Sequence, residues 1–179
     1  MIYASLKPVR LWRHPLTPIN YLLLSLTSGL TTVAAAAGEA TNALLLALSV
    51  AVAVAAVGKL LHFRRVVLPS DTVDINRAVG VYAANTRLLD MGHTAGNFLT
   101  REFIYQANNV TIRRARQLTW LLAFALPFAL SLVVAILARG HGWLWLASLS
   151  MFVGLLAERW LFFAEARHVV RLYHGHPTA

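Results

Sequence analysis

Cysteine is absent from the 179 residues, which removes disulfides, thiolate metal sites, iron–sulfur ligation and cysteine nucleophiles from consideration. Charge is also scarce. Only 13% of the residues are Asp, Glu, Lys or Arg, whereas 58% are hydrophobic, and a water-soluble domain of this size has no core large enough to hide that much apolar side chain. Acidic residues are the rarest, 7 against 16 Lys and Arg. In so apolar a chain this imbalance bears on membrane topology and on anionic lipid or acidic partner surfaces, and nucleic acid is excluded as a partner. There is no phosphate loop, nucleophile elbow or zinc-ligand spacing.

What is present is a set of long apolar runs. The first, about 19–37, follows a proline-punctuated basic segment with Lys7, Arg10 and Arg13. The second, about 43–62, begins so soon afterwards that the two must form an antiparallel hairpin. Ser25, Ser28, Gly29 and Thr32 in the first run, and Ala47, Ala51 and Ala55 in the second, recur at helical spacing, so small-residue stripes are expected to let these helices approach. A third run, about 118–138, holds Pro127 near its centre, where a kink is expected. The fourth, about 143–164, opens on Trp143 and Trp145 at the position of an interfacial aromatic belt, with its helix expected to continue to Tyr173.

Between the second and third runs lies a basic connection, 63–117, with eight arginines. Ile75, Val79, Tyr82, Thr86 and Leu89 share one helical face there, which predicts an amphipathic helix capped by Pro69, Ser70 and Asp71. Gly92 and Gly96 interrupt that pattern, and a further helix is expected over 100–116. The chain is therefore read as one all-α domain, a polytopic integral membrane protein of about four transmembrane helices with a long, partly helical connection. Four spans bring both termini and the connection to one side, which collects nearly all the positive charge; Arg139 is alone on the other. The positive-inside rule makes that side cytoplasmic, in a bacterial inner membrane. The first run is too long for a cleaved signal and lacks a small-residue cleavage site.

Glu158 and Arg159 stand out because charges inside an apolar run must be paired or reach water. Adjacent residues diverge by about 100° on a helix, so each is expected to find a partner on another helix instead of its neighbour. Glu165 and His168 extend this stripe. It reads in two ways: a quinol or proton path, since quinol oxidation releases protons that need acceptors, or an inter-helix salt bridge with an interfacial cap. The seven histidines show no pairing at mid-span depth of the kind a membrane haem requires.

Three stretches carry a resemblance. Glu158-Arg-Trp-Leu-Phe-Phe-Ala-Glu-Ala-Arg-His-Val-Val-Arg-Leu-Tyr-His-Gly175 looks like the C-terminal signature of the membrane anchor subunits of dimethyl sulfoxide reductase-type enzymes. Ile2 to Pro18, and Asp90-Met-Gly-His-Thr-Ala-Gly-Asn-Phe-Leu-Thr-Arg-Glu-Phe103, resemble the same family in the same order. The resemblance covers only the C-terminal half of such an anchor. It implies a scaffold that catalyses nothing alone, holding a molybdopterin catalytic subunit and an iron–sulfur subunit at the membrane, and supporting menaquinol oxidation in anaerobic respiration. The anchor binds no metal, the iron–sulfur clusters and molybdopterin sit in the partners, and a separate N-terminal half is a further expected partner. Arg77, Arg87, His93, Arg101, Glu102, Arg113 and Arg114 are the candidate docking residues. The alternative reading is half of a small transporter or channel that dimerises, with Glu158 and Glu165 lining its pathway.

Overall fold

The structure is a computed structural model that describes residues 2–37, 40–67, 75–81, 86, 89, 107–137 and 142–174. The described residues are all-helical. A short helix α1 (Ile2–Ser5) precedes α2 (Leu16–Ala36) and α3 (Asn42–Val67). After the five-residue α4 (Ile75–Val79), one continuous helix runs through α5 (Asn109–Leu118), a π-helical segment (Thr119–Ala125) and α6 (Leu126–Leu137). Then come α7 (Gly142–Ala164) and a closing 3-10 turn (Val169–His174). Four helices, Leu16–Ala36, Asn42–Arg65, Asn109–Leu137 and Gly142–Ala164, are long and apolar enough to cross a membrane.

The four form a closed bundle. α2 packs on α3 and α7, and the third long helix packs on α3 and α7 in turn. Large apolar residues such as Leu22, Leu26, Val50, Val54, Leu121, Ile136, Phe152 and Leu156 point outward. The interior holds Thr17, Asn20, Thr27, Thr31, Lys59, His62, Thr119, Ser131, Ser148, Ser150 and Glu158. Apolar outside and polar inside is the arrangement that lipid selects, because a polar group facing hydrocarbon has no hydrogen-bond partner. The chain is a multi-pass membrane protein.

Several boundaries and faces differ from the sequence reading, each for a physical reason. The third helix starts at Asn109, well before 118, because the Asn108 side chain caps it by accepting from Val110 N at 3.0 Å. The amphipathic helix over Ile75 to Leu89 stops at Val79. Gly80 adopts φ +71° and the Val81 N–H returns to Asn76 O at 3.1 Å, a glycine-terminated C-cap. The last helix ends at Ala164 and does not reach Tyr173; the Val169 N–H is instead held by Pro8 O at 3.1 Å. The expected cap at Pro69 to Asp71 and the helix start at Thr100 lie outside the described residues.

The small-residue stripes face the interior only in part: Ala55 is fully buried, Ala51 half-buried, and Thr32 reaches across to Ser148. Ser25 and Gly29 are exposed, as is Ala47, and a Cβ added at Gly29 meets nothing within 4 Å. α2 buries Asn20, Leu24, Thr27 and Thr31 instead. Many hydroxyls bond a carbonyl of their own helix whichever way they face, exposed Ser25 to Leu22 O at 3.0 Å and buried Thr31 to Thr27 O at 2.7 Å, so a hydroxyl by itself does not mark the inward face. Hydroxyl pairs that do cross between helices, in the half of the bundle away from the termini, include Thr32 with Ser148 at 3.2 Å and Ser49 with Ser131 at 3.1 Å.

Close approach falls at Gly154 of α7, where a Cβ would lie 2.8 Å from both Cα and Cβ of Ala123. Ala123 belongs to the π segment, whose widened turn is closed by the Leu126 N–H bonding back to Leu121 O. Pro127 supplies no N–H, and its ring crowds the carbonyl of residue 123; the wider turn ahead of it relieves that conflict.

Candidate functional site

The start of α2, the end of α3, the start of the third long helix and the end of α7 meet at one end of the bundle, and the described ionisable side chains of the interior collect there. Glu158 is 0% exposed and Lys59 2%. Lys59 Nζ, from α3, donates to Glu158 Oε1 on the diagonally opposite helix, and the Arg159 guanidinium donates to Glu158 Oε2. The expectation that Glu158 and Arg159 avoid each other is thus corrected. The diverging Cβ directions are overcome by the length of the arginine, whose fork folds back on the second carboxylate oxygen. Arg159 also stacks over Tyr21, 3.9 Å from the ring centre, and lies 5.2 Å from that of Phe162.

A second pair stands beside the first. Arg116 Nε donates to Glu165 Oε1 at 2.7 Å, with the Glu165 side chain 3% exposed. Arg116 and Lys59 both lie over the Phe63 ring, at 5.2 and 4.6 Å, so one aromatic ring adjoins a cation from each pair. Glu165 follows the end of α7, so Glu158, Glu165 and His168 do not form a single helical stripe. Burial pushes the Glu165 carboxyl above the usual carboxylate range, with Arg116 pulling the other way. Burial lowers the His168 imidazole below its ordinary value.

An aromatic group closes this end. Trp12 stacks on Phe162 at 5.1 Å and donates its indole N–H to Phe162 O at 3.0 Å. Tyr3 meets Trp12 edge-on at 5.2 Å, and Tyr21 meets Phe162 at 5.6 Å. The N-terminal segment is thereby fastened over Phe162 near the end of α7. On α2, the amide of Asn20 is buried with neither its oxygen nor its nitrogen hydrogen-bonded, and one Arg159 guanidinium nitrogen, Nη1, is in the same condition. A Cβ on Gly58 would come within 2.8 Å of Asn20 Oδ1, so the amide occupies the notch that this glycine leaves on α3.

Of the candidate docking residues, Arg113 and Arg114 are exposed on α5, and the backbone of Arg77 lies in α4. Its side chain, with Arg87, His93, Arg101 and Glu102, lies outside the described residues. Sequence reasoning overlooked Lys59 as the partner of Glu158, along with Asn20, Tyr21 and Trp12. A signal for Lys59 existed: it stands alone in the apolar stretch Val57-Gly-Lys-Leu-Leu61, about as far from its helix end as Glu158 is from the end of α7.

Comparison with known proteins gives one informative match. The chain is similar to a subunit of a sulfite dehydrogenase. That protein, from Allochromatium vinosum, is 34% identical over 178 residues, which are 97% of this chain and 54% of the relative. The chain therefore spans about half the length of the curated relative it matches. No family model matches the chain, and no solved structure does either.

Proposed function

We propose that this chain is a membrane anchor subunit of a molybdenum oxidoreductase of the dimethyl sulfoxide reductase type. It anchors the molybdopterin and iron–sulfur subunits and supports electron exchange with menaquinol. The observation that carries this reading is the similarity along nearly the whole chain to a protein named as one subunit of a dehydrogenase. The three stretches that resemble reductase anchors support it. A dehydrogenase delivers electrons from its substrate, whereas a reductase anchor draws them from menaquinol; on this reading the partner subunits set that direction. The chain itself binds no cofactor on this reading, and both termini are cytoplasmic. Exposed Arg113 and Arg114 at the start of the third long helix offer docking cations beside the connection.

The test is a mild-detergent pull-down of the tagged chain from its native membrane, with mass spectrometry and metal analysis. Recovery of iron, molybdenum and two larger subunits is the expected result, and it also shows whether a separate N-terminal half travels with the chain. Recovery of the chain alone and metal-free, with ion flux in liposomes that is lost on Glu158→Gln, establishes the transporter reading instead.

A further inference from the structure

We propose that the outer cleft between the end of α3 and the start of the third long helix binds an anionic phospholipid with two phosphates, held by Arg64 and Arg65 on one side and Arg113 and Arg114 on the other. The proposal goes beyond the redox reading above and does not depend on it.

A helix contact brings the two arginine pairs together. Phe63 of α3 packs in one cluster with Ala115 and Ile112 of α5, and its ring centre lies 5.2 Å from the Arg116 guanidinium carbon and 6.3 Å from the centre of the Trp120 ring. Arg64 and Arg65 directly follow Phe63, while Arg113 and Arg114 stand between Ile112 and Ala115, so each pair leaves the backbone beside that contact. All four side chains are exposed.

Charge selects the ligand. Among the described residues no exposed side chain is acidic, because Glu158 is enclosed by Lys59 and Arg159 and Glu165 is held by Arg116. Guanidinium groups match phosphate oxygens two at a time. Two arginine pairs on neighbouring helices therefore suit two linked phosphates better than one, and a basic cleft between transmembrane helices is a known kind of site for such head groups.

Depth selects a lipid. Arg64 and Arg65 are the last residues of the apolar span Asn42–Arg65. The third long helix has 29 residues, roughly 44 Å, and its stretch from Leu118 to Leu137 alone covers the hydrocarbon thickness of about 30 Å. Its first stretch, with Arg113 and Arg114, therefore stands in the head-group layer. Below these cations both helices present exposed apolar side chains on the same outward face: Leu61 and Val57 lie one and two turns from Arg64, and Leu118 and Leu121 one and two turns from Arg114. Cations above and apolar surface below match a phospholipid. Topology alone requires positive charge on this side, but not its pairing across two helices over a shared apolar face. A water-soluble subunit docked on Arg113 and Arg114 would meet the cations and leave that face untouched.

The experiment places the tagged chain, with whatever subunits accompany it, in phosphatidylcholine nanodiscs carrying graded fractions of tetraoleoyl cardiolipin, a two-phosphate lipid. Native mass spectrometry after release counts the retained cardiolipin and gives an apparent affinity. Arg64→Gln with Arg65→Gln, and separately Arg113→Gln with Arg114→Gln, should each weaken binding roughly 30-fold, the effect of removing two interfacial cations. Lys7→Gln with Arg13→Gln removes as much charge from the same end of the bundle and should bind as the wild type does. Thermal unfolding gives a second readout. In phosphatidylcholine alone all these variants should unfold with the wild type, and added cardiolipin should raise the midpoint of the wild type and of the Lys7 and Arg13 variant but of neither arginine double. Arg64→Lys with Arg65→Lys keeps the charge but loses the bidentate fit, and should weaken binding in the same direction even if the glutamine double folds poorly. Equal weakening in all three glutamine doubles reduces the effect to surface potential and overturns the proposal. Unchanged affinity in the two arginine doubles does so as well, as does binding of phosphatidylglycerol, with its single phosphate, as tightly as cardiolipin. Retained cardiolipin with loss of the accompanying subunits in Arg113→Gln with Arg114→Gln overturns it in favour of a protein partner at that pair.

Discussion

The two halves of the bundle hold their helices together by different means. In the half away from the termini the interhelical polar contacts are neutral: Thr32 with Ser148, Ser49 with Ser131, and the Thr31 hydroxyl against the Met151 sulfur at 3.4 Å. Most of these hydroxyls also bond a carbonyl of their own helix, so separating the helices strands little. At the terminal end the contacts are ionic. The Lys59–Glu158 pair is satisfied only when α3 and α7 are both in place. Neutral contacts set the packing at low risk, while ionic contacts make assembly of that end nearly all-or-none, since an unpaired ion in a membrane interior is expensive.

The strongest test of this contrast removes the shared anion. Glu158→Leu leaves Lys59 enclosed without its carboxylate and should lower stability by about 3–5 kcal/mol, the range for breaking a buried ion pair, measured by thermal unfolding in detergent. Lys59→Met should cost less, because Arg159 remains to neutralise Glu158. The double substitution should recover much of what Glu158→Leu loses. If all three variants unfold at the wild-type temperature, the triad is solvated and the contrast between the halves disappears.

A second test acts where the halves join. Gly154→Ala places a methyl against the backbone of Ala123, which cannot swing away as a side-chain tip can, and should cost about 1–3 kcal/mol in the same assay. Gly29→Ala meets nothing within 4 Å and should be neutral or slightly stabilising.

How far the sequence discloses this design depends on the kind of signal. The four apolar runs announce an all-α membrane fold because their lengths match a bilayer and leave few alternatives. The inward face of α2 is not readable from its hydroxyls alone, since exposed Ser25 and buried Thr31 both bond a carbonyl of their own helix. The start of the third helix is disguised by Arg113, Arg114 and Arg116, which look like connection but form a charged first stretch of helix capped by Asn108. Glu158 and Arg159 are conspicuous as charges in an apolar run. Their arrangement is not, because the pairing of Glu158 with Lys59 is set by which helices lie diagonally across the bundle, and an arginine long enough to fold back on its neighbour defeats the angular argument. The burial of Asn20 is invisible for a related reason: one amide in an apolar run reads as tolerated polarity until the notch at Gly58 shows where it is held.

The mildest test concerns Glu165, which stands just past the end of α7 and shares features of both halves, being buried like Glu158 but bound to a single, part-exposed arginine. Burial raises its pKa above that of the unfolded chain. The folded state therefore holds the proton more tightly than the unfolded state, so this group's contribution to stability is complete below the usual carboxylate range and declines as pH rises through the raised value. Thermal unfolding followed from about pH 3 to about pH 7, across and above the ordinary glutamate value, should show that decline in the wild type. Glu165→Gln should flatten it, with a change of about 1 kcal/mol or less at neutral pH, the scale of a part-exposed pair. Arg116→Met should steepen it, because the cation that opposes the burial penalty is gone. A wild-type stability that instead climbs with pH over this range, and loses that climb in Arg116→Met, would mean that attraction to Arg116 outweighs burial. Glu165 would then behave as a second, outer copy of the Lys59–Glu158 interaction.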